Sequence, residues 1–155
     1  MTNNAPAGFK IFEGNVGFVE LTGLLMVKRA ERDAYLGLRI EDKHCNIAGI
    51  CHGGMLMTFA DMQLGVGGHA IAGVSKKFTP TVQMSCDFVA PALNGAWLEG
   101  RTQVIKQTRK LLFATCILTA DDKTVFSCSG IMKIPSGTGA YDDVSADLAR
   151  PEVSD

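Results

Sequence analysis

The residues best suited to chemistry sit in one run, Asn46 to Gly68, NIAGICHGGMLMTFADMQLGVGG. Asn46 and Gly49 belong to a loop of turn-forming residues. His52, Gly53 and Gly54 follow, and then a stretch apolar enough for a buried helix. Two adjacent glycines let the backbone come close to whatever lies in front of the helix. The first N–H groups of a helix lack intrahelical acceptors and carry the positive end of the dipole. They suit an oxygen that gains negative charge during a reaction. Asp61 is the one acid in the run. A carboxylate can activate a water molecule, for a gain of roughly 10²–10⁴-fold, or attack a carbonyl directly.

At about 3.6 residues per turn, Gly54, Thr58, Asp61 and Gly65 fall on one narrow stripe. Met55, Leu56, Met57, Phe59, Met62 and Leu64 surround it. A carboxylate on such a stripe must face a cavity, a partner or water. A lone helical Asp is more often a residue merely satisfied by hydrogen bonds. The glycine pair at the helix start, with Asn46 just before it, favours the functional reading.

The elements that would position these residues are legible as patterns. Residues 1–23 are weakly patterned, with Phe9, Phe12, Phe18 and Leu21 suited to a short helix or to the surface of the core. LLMVKR from Leu24, a charged turn at Ala30–Ala34 and then YLGLRI predict a hairpin. The loop and central helix come next, and Gly65, Gly67 and Gly68 predict where that helix stops. Residues 71–78 read as a connector carrying Lys76 and Lys77. Val82, Met84, Cys86 and Phe88 then alternate with Thr81, Gln83, Ser85 and Asp87, which predicts a half-buried strand ended by Pro91. Trp97–Lys106, Leu111–Ala120 and Val125–Ile134 predict three further strands, and the short turns between them predict antiparallel neighbours.

The expected fold class is α+β, a curved antiparallel sheet wrapped around one long helix. The domain is expected over residues 24–134, with an extension at 1–23 and a polar, mobile tail at 135–155. One sheet of this size leaves an edge or a helix face uncovered, which predicts self-association.

The chain has 155 residues, enough for one domain with a real core. Apolar residues make up 46% and charged residues 20%, which argues against disorder. A net charge of -1 offers no basic footprint for nucleic acid. No apolar run approaches the roughly 18 residues of a spanning helix, so no membrane partner is expected. MTNNAPAGFK lacks the pattern of a secretory signal. The five cysteines, Cys45, Cys51, Cys86, Cys116 and Cys128, are odd in number, and three lie in strand-like runs. Reduced, buried thiols in a cytoplasmic protein are expected.

The string HCNIAGICHGGMLMTFAD resembles the signature of the hotdog-fold acyl-CoA thioesterases, in the PaaI-like branch of the 4HBT superfamily. That signature has an Asn, a Gly shortly before His-Gly-Gly, and an Asp nine residues after the His; here these are Asn46, Gly49, His52 to Gly54, and Asp61. TVQMSCDFVAPALNG, residues 81–95, resembles the family strand that ends in Pro and Gly. The resemblance covers roughly residues 24–134. It implies the hotdog fold and hydrolysis of an acyl-CoA, with an aromatic or medium-chain acyl group, to a free acid and CoA. It implies no cofactor beyond the CoA of the substrate. Carried over by position, Gly53 would supply an oxyanion-hole N–H, and Asn46 would orient the thioester or the water. Asp61 would be nucleophile or general base. Thr81 would help hold the attacking water, and His52 would buttress the loop and Asn46. Gly54, Met55, Thr58 and Gly65 would line the substrate site.

Gly53 and Asp61 are eight residues apart, or roughly 12 Å along one helix. They cannot touch one carbonyl within one chain. Two helices running antiparallel across a two-fold axis would join the Gly53 of one subunit to the Asp61 of the other. A homodimer, or a dimer of dimers, with composite sites is therefore expected. The CoA phosphates need cations, and Lys76, Lys77, Arg101, Lys106, Arg109 and Lys110 are candidates. For any single one of them a solvated surface charge is the commoner reading.

Other readings use the same residues. His44, Cys45, Cys51 and His52 crowd the loop, but two adjacent pairs are not a usual zinc spacing, and no metal is expected. Cys51 beside His52 suggests a nucleophile, yet sequence neighbours rarely present both side chains to one point. A non-catalytic acyl-CoA-binding protein, a ligand sensor, would bind without releasing thiol; no DNA-binding helices are seen beside the domain. Hotdog dehydratases use a catalytic His with a carboxylate, whereas here the acid sits on the helix after His-Gly-Gly.

Overall fold

The computed structural model describes residues 4–23, 25–74, 78–134 and 136. Lys76, Lys77 and nearly all of the expected tail lie outside the described residues. The described residues form seven strands: β1 (Lys10–Ile11), β2 (Met26–Ala30), β3 (Asp33–Arg39), β4 (Thr81–Phe88), β5 (Trp97–Gln107), β6 (Leu111–Ala120) and β7 (Lys123–Lys133). They make one sheet in the order β1-β2-β3-β5-β6-β7-β4, with every pair antiparallel. A short helix α1 (Phe18–Thr22) precedes β2, and the long helix α2 (Gly53–Ala72) lies between β3 and β4. Alternate residues of β5 and β6, such as Leu98, Thr102, Leu112, Cys116 and Leu118, are buried, as the two-residue period of a strand requires. Leu56, Phe59, Ala60 and Leu64 of α2 join them in one core. The helix touches β3, β4, β5, β6 and β7. This is the α+β hotdog arrangement, one helix held by an antiparallel sheet. No helix among the described residues is long and apolar enough to cross a membrane.

Three local expectations need correction. The glycines near the end of α2 do not stop it; the helix runs to Ala72 and is closed by Gly73 at φ 60°. Gly67 and Gly68 instead lie where helix and sheet approach closely. A Cβ on Gly67 would lie 2.5 Å from Thr102 Oγ1, and one on Gly68 would lie 3.0 Å from Leu112 Cδ2. Residues 71 and 72, expected in a connector, belong to the helix. The strand expected to be half-buried, β4, is an edge strand paired only with β7. Met84 and Cys86 are partly covered, but Val82 and Phe88 are 61% and 56% exposed.

The N-terminal phenylalanines divide between two roles. Phe9 and Phe12 are buried, and β1 between them pairs with β2. Phe18 and Leu21 lie on α1 and are exposed.

One buried side chain does what no strand does. β3 pairs with β5 only from Gly37 to Arg39, and the two strands separate beyond that point. Gln63 of α2, fully buried, enters the gap. Its Oε1 accepts from the Leu36 N–H at 2.7 Å, and its Nε2 donates to the Ala34 carbonyl at 2.9 Å. Nε2 also lies 3.0 Å from Thr102 Oγ1, and that hydroxyl donates back to the Gln63 carbonyl at 2.9 Å. Gly100 makes the room, since a Cβ there would lie 2.6 Å from Gln63 Cγ. Buried backbone groups without partners cost about 1–3 kcal/mol each. Gln63→Leu keeps the volume and orphans both groups on β3. It is expected to lower stability by about 2–4 kcal/mol in a denaturant titration; a change under about 0.5 kcal/mol would show that the gap closes by itself.

Candidate active site

The loop that leads into α2 is built from backbone bonds to both sides. After one 3₁₀ turn, Asp42–His44, the chain forms a bridge between Cys45 and Cys51. The Asn46 N–H donates to the Ile50 carbonyl at 2.8 Å, the Cys51 N–H to the Ala92 carbonyl at 2.8 Å, and the His52 N–H to the His44 carbonyl at 2.8 Å. Asn46 Oδ1 accepts from the Ala48 N–H at 2.9 Å. Its Nδ2 donates no hydrogen bond among the described residues.

His52 is the N-cap of α2, and its Nδ1 accepts from the Gly54 N–H at 2.9 Å. The His52 carbonyl accepts from Met55 and Leu56. Among the described residues the Gly53 N–H has no acceptor. The cap thus singles out Gly53 as the free donor at the positive end of a 20-residue helix. His52 acts here through Gly54, and it makes no hydrogen bond to Asn46.

Farther along α2, Thr81 Oγ1 donates to Asp61 Oδ1 at 2.6 Å. Asp61 is half-buried, and Thr81, the first residue of β4, is exposed. The sequence-picked residues therefore form two groups: Asn46, His52 and Gly53 at the helix start, and Asp61 with Thr81 two turns on. The remaining ones lie along the same open stripe. Gly54 is exposed, and Gly65 faces open space. The Thr58 hydroxyl donates to the Gly54 carbonyl at 2.9 Å and offers no free proton. Met55 is half-buried against the core.

Two side chains around this loop have shifted acidities. Burial pushes the Cys51 thiol up to about 12. Its Sγ lies 3.9 Å from the His52 carbonyl oxygen, so Cys51 is a protonated filler and no thiolate nucleophile forms at neutral pH. The five cysteines are free, and Cys51, Cys116 and Cys128 are buried. Burial holds His44 below the ordinary imidazole range, with the Lys43 charge adding to the effect. His44 Nδ1 accepts from the Glu41 N–H at 2.9 Å, and its Nε2 bonds to the Thr22 carbonyl. Both ring nitrogens are thus committed within the protein. No group of three His, Cys, Asp or Glu side chains among the described residues is arranged to hold a metal ion.

Residues 48–127 match the thioesterase superfamily. A protein of Pseudomonas aeruginosa named "Putative esterase PA0474" is 36% identical over 135 residues, covering 85% of this chain and 98% of that one. The chain belongs to the thioesterase superfamily. Its fold is shared with the E. coli PaaI protein of the phenylacetic acid degradation operon, at a TM-score of 0.69 and 21% identity over 80% of this chain and 88% of that one. It is shared too with a hypothetical thioesterase of Streptococcus pneumoniae TIGR4 solved with coenzyme A, at a TM-score of 0.64 and 16% identity over 73% and 87%. The superfamily and the esterase relative place the protein among ester and thioester hydrolases.

In this thioesterase the sequence reading missed one neighbour of the free donor. Phe88, the last residue of β4, stacks edge-on against Phe126, with ring centroids 5.2 Å apart at 78°. A Cβ on Gly53 would lie 2.8 Å from Phe88 Cε1. The usable signal was the absence of a side chain at Gly53 itself.

His44 also links this thioesterase's site loop to acid stability. The folded chain keeps the imidazole neutral, while the unfolded chain protonates it below about pH 6.5. Its contribution to stability is full above that pH and is lost as pH falls below it. His44→Gln is expected to be less stable than wild type near pH 7.5 but to lose less on going to about pH 5.5. Urea midpoints across that range test this, and parallel declines in the two proteins would exclude His44 as the titrating group.

Proposed function

We propose that the protein hydrolyses acyl-CoA thioesters to a free acid and CoA, at composite sites shared by two copies of the chain. The observation that carries this reading is the 2.6 Å bond from Thr81 to Asp61 on the open stripe of α2. Thr81 fixes one carboxylate oxygen and keeps lone pairs to accept from a water molecule. The second oxygen of Asp61 is left to act. It can take the proton of that water as it attacks the thioester carbonyl. Alternatively it attacks the carbonyl itself, giving a mixed anhydride and expelling the CoA thiolate; water then cleaves the anhydride to the free acid and the restored carboxylate, and the proton this water gives up goes to the thiolate. In either course the carbonyl oxygen becomes an anion, and the Gly53 N–H is its donor. The Asn46 Nδ2 orients the thioester or the water.

Gly53 and Asp61 lie roughly 12 Å apart along α2, so the two halves come from different copies. Among the described residues the outer edge of β4 is unpaired, and Val82 and Val89 on and beside it are exposed. Two-fold pairing along this edge would cover it and set two α2 helices antiparallel. The CoA-bound relative of the same fold supports the ligand class. Lys106, Arg109 and Lys110, exposed at the β5–β6 turn, are available for its phosphates. The acyl group is aromatic or medium-chain.

Thiol release from a panel of acyl-CoAs is the direct test. Wild type is expected to hydrolyse at least one, and Asp61→Ala to lose at least about 10²-fold. Binding without thiol release in the wild type would instead indicate a ligand sensor.

Subunit mixing tests the composite site. Gly53→Pro removes the donor at a helix position whose backbone suits proline, after a residue already extended at ψ 137°; its ring also meets Phe88 of the same chain, which disturbs only the half-site the variant already disables. Each variant alone is expected to be inactive. After subunit exchange between Asp61→Ala and Gly53→Pro chains, about a quarter of wild-type activity should return, because half the dimers are mixed and each has one intact site. No recovery despite proven exchange would place both groups in one chain.

A further inference from the structure

We infer that Phe88 is a specificity-determining residue, whose ring limits the bulk an acyl group can carry on the carbon next to the scissile carbonyl. The inference rests on the acyl-CoA hydrolysis proposed above. Three observations lead to it. The ring is 56% exposed although it is apolar, so it borders open space rather than filling the core. It is backed by Phe126, which is fully buried and sits directly opposite it on β7. Its front edge occupies the place of a side chain on Gly53, where a Cβ would lie 2.8 Å from it.

The consequence follows from distances. A carbonyl oxygen on the Gly53 N–H sits about 2.9 Å from that nitrogen. The carbonyl carbon and its first substituent then lie within van der Waals reach of the ring. Phe126 closes the space behind the Phe88 ring, so the ring can give way only sideways. A branch on that first carbon therefore meets the ring edge. The other apolar residues beside the stripe, Met57 and Met62, are unbranched and partly exposed, and such side chains repack around differing shapes. The tail of the acyl group is loosely chosen, and the carbon beside the carbonyl tightly.

The experiment compares kcat/KM for a straight-chain acyl-CoA and its 2-methyl derivative of equal main-chain length, in wild type, Phe88→Ala and Phe88→Leu. Wild type is expected to prefer the straight chain. Phe88→Ala should raise the branched-to-straight ratio by about 10-fold, the scale of one methyl group in a fitted pocket. Phe88→Leu, which keeps more of the apolar volume, should raise it less and carries the same test where the alanine variant does not fold. Gly53→Ala should be impaired in the wild-type background and recover when Phe88→Ala is added. An unchanged ratio in a folded Phe88 variant, even one with lower overall activity, makes the ring merely structural and overturns the inference. Failure of the underlying reading looks different: wild type then releases no thiol from either substrate, and both proposals fall.

Discussion

The amide of Gln63, held in the gap between β3 and β5, fixes how α2 sits on the sheet. It makes bonds to Leu36 N–H, Ala34 carbonyl and Thr102 at once, so the helix can neither slide nor roll without losing them. Successive helical residues turn by about 100°. With Gln63 pointing at the sheet, Asp61 and Gly65 lie about 160° around the helix from it, Gly54 about 180° and Thr58 about 140°. Anchoring one inward amide therefore turns the whole small-residue stripe outward. The same anchor explains why Gly67 and Gly100 lack side chains: the helix lies too close to the sheet at this level for a Cβ. The position of the acid is a consequence of where the sheet opens.

At the other end of the helix, the constraint is electrostatic. A helix start leaves N–H groups without partners, and the loop answers only one of them through a side chain. His52 takes the Gly54 N–H and leaves Gly53. His44 holds the loop behind it, bonded forward to His52 through its carbonyl and back to α1 through its ring. Its imidazole serves as a two-sided connector, with both ring nitrogens hydrogen-bonded within the protein. The free donor at Gly53 thus rests on hydrogen bonds that are themselves remote from any substrate.

Much of this was legible in the sequence. Strands β5, β6 and β7 are apolar-rich runs joined by short charged turns, so local pattern suffices to place them. The stripe through Gly54, Thr58, Asp61 and Gly65 was readable because helical periodicity alone determines it. What was not legible depends on close approach between distant segments. Gly67 and Gly68 have the composition of a helix end, and only the nearness of Thr102 and Leu112 shows why they are glycines. Gln63 carried a signal that was overlooked, a polar residue on the side of the helix opposite the stripe. Phe88 alternates with polar neighbours as an inward residue should, yet β4 lies at the sheet edge and leaves it half uncovered. Periodicity gives the face of a strand but not its place in the sheet.

The two halves of the proposed chemistry are separated by the very feature that makes each half work. The oxyanion donor has to be at the first turn, because only there does a helix offer a free N–H. The carboxylate has to be deeper, where Thr81 at the start of β4 can reach it. A rigid helix anchored by Gln63 cannot bend to bring them together. In the proposed site, a second helix running the other way would supply the missing half to both, with one symmetric contact completing two sites. Under that proposal association would be part of assembling the reaction centre, and the edge of β4, uncovered among the described residues, is where the fold would leave that assembly to be made.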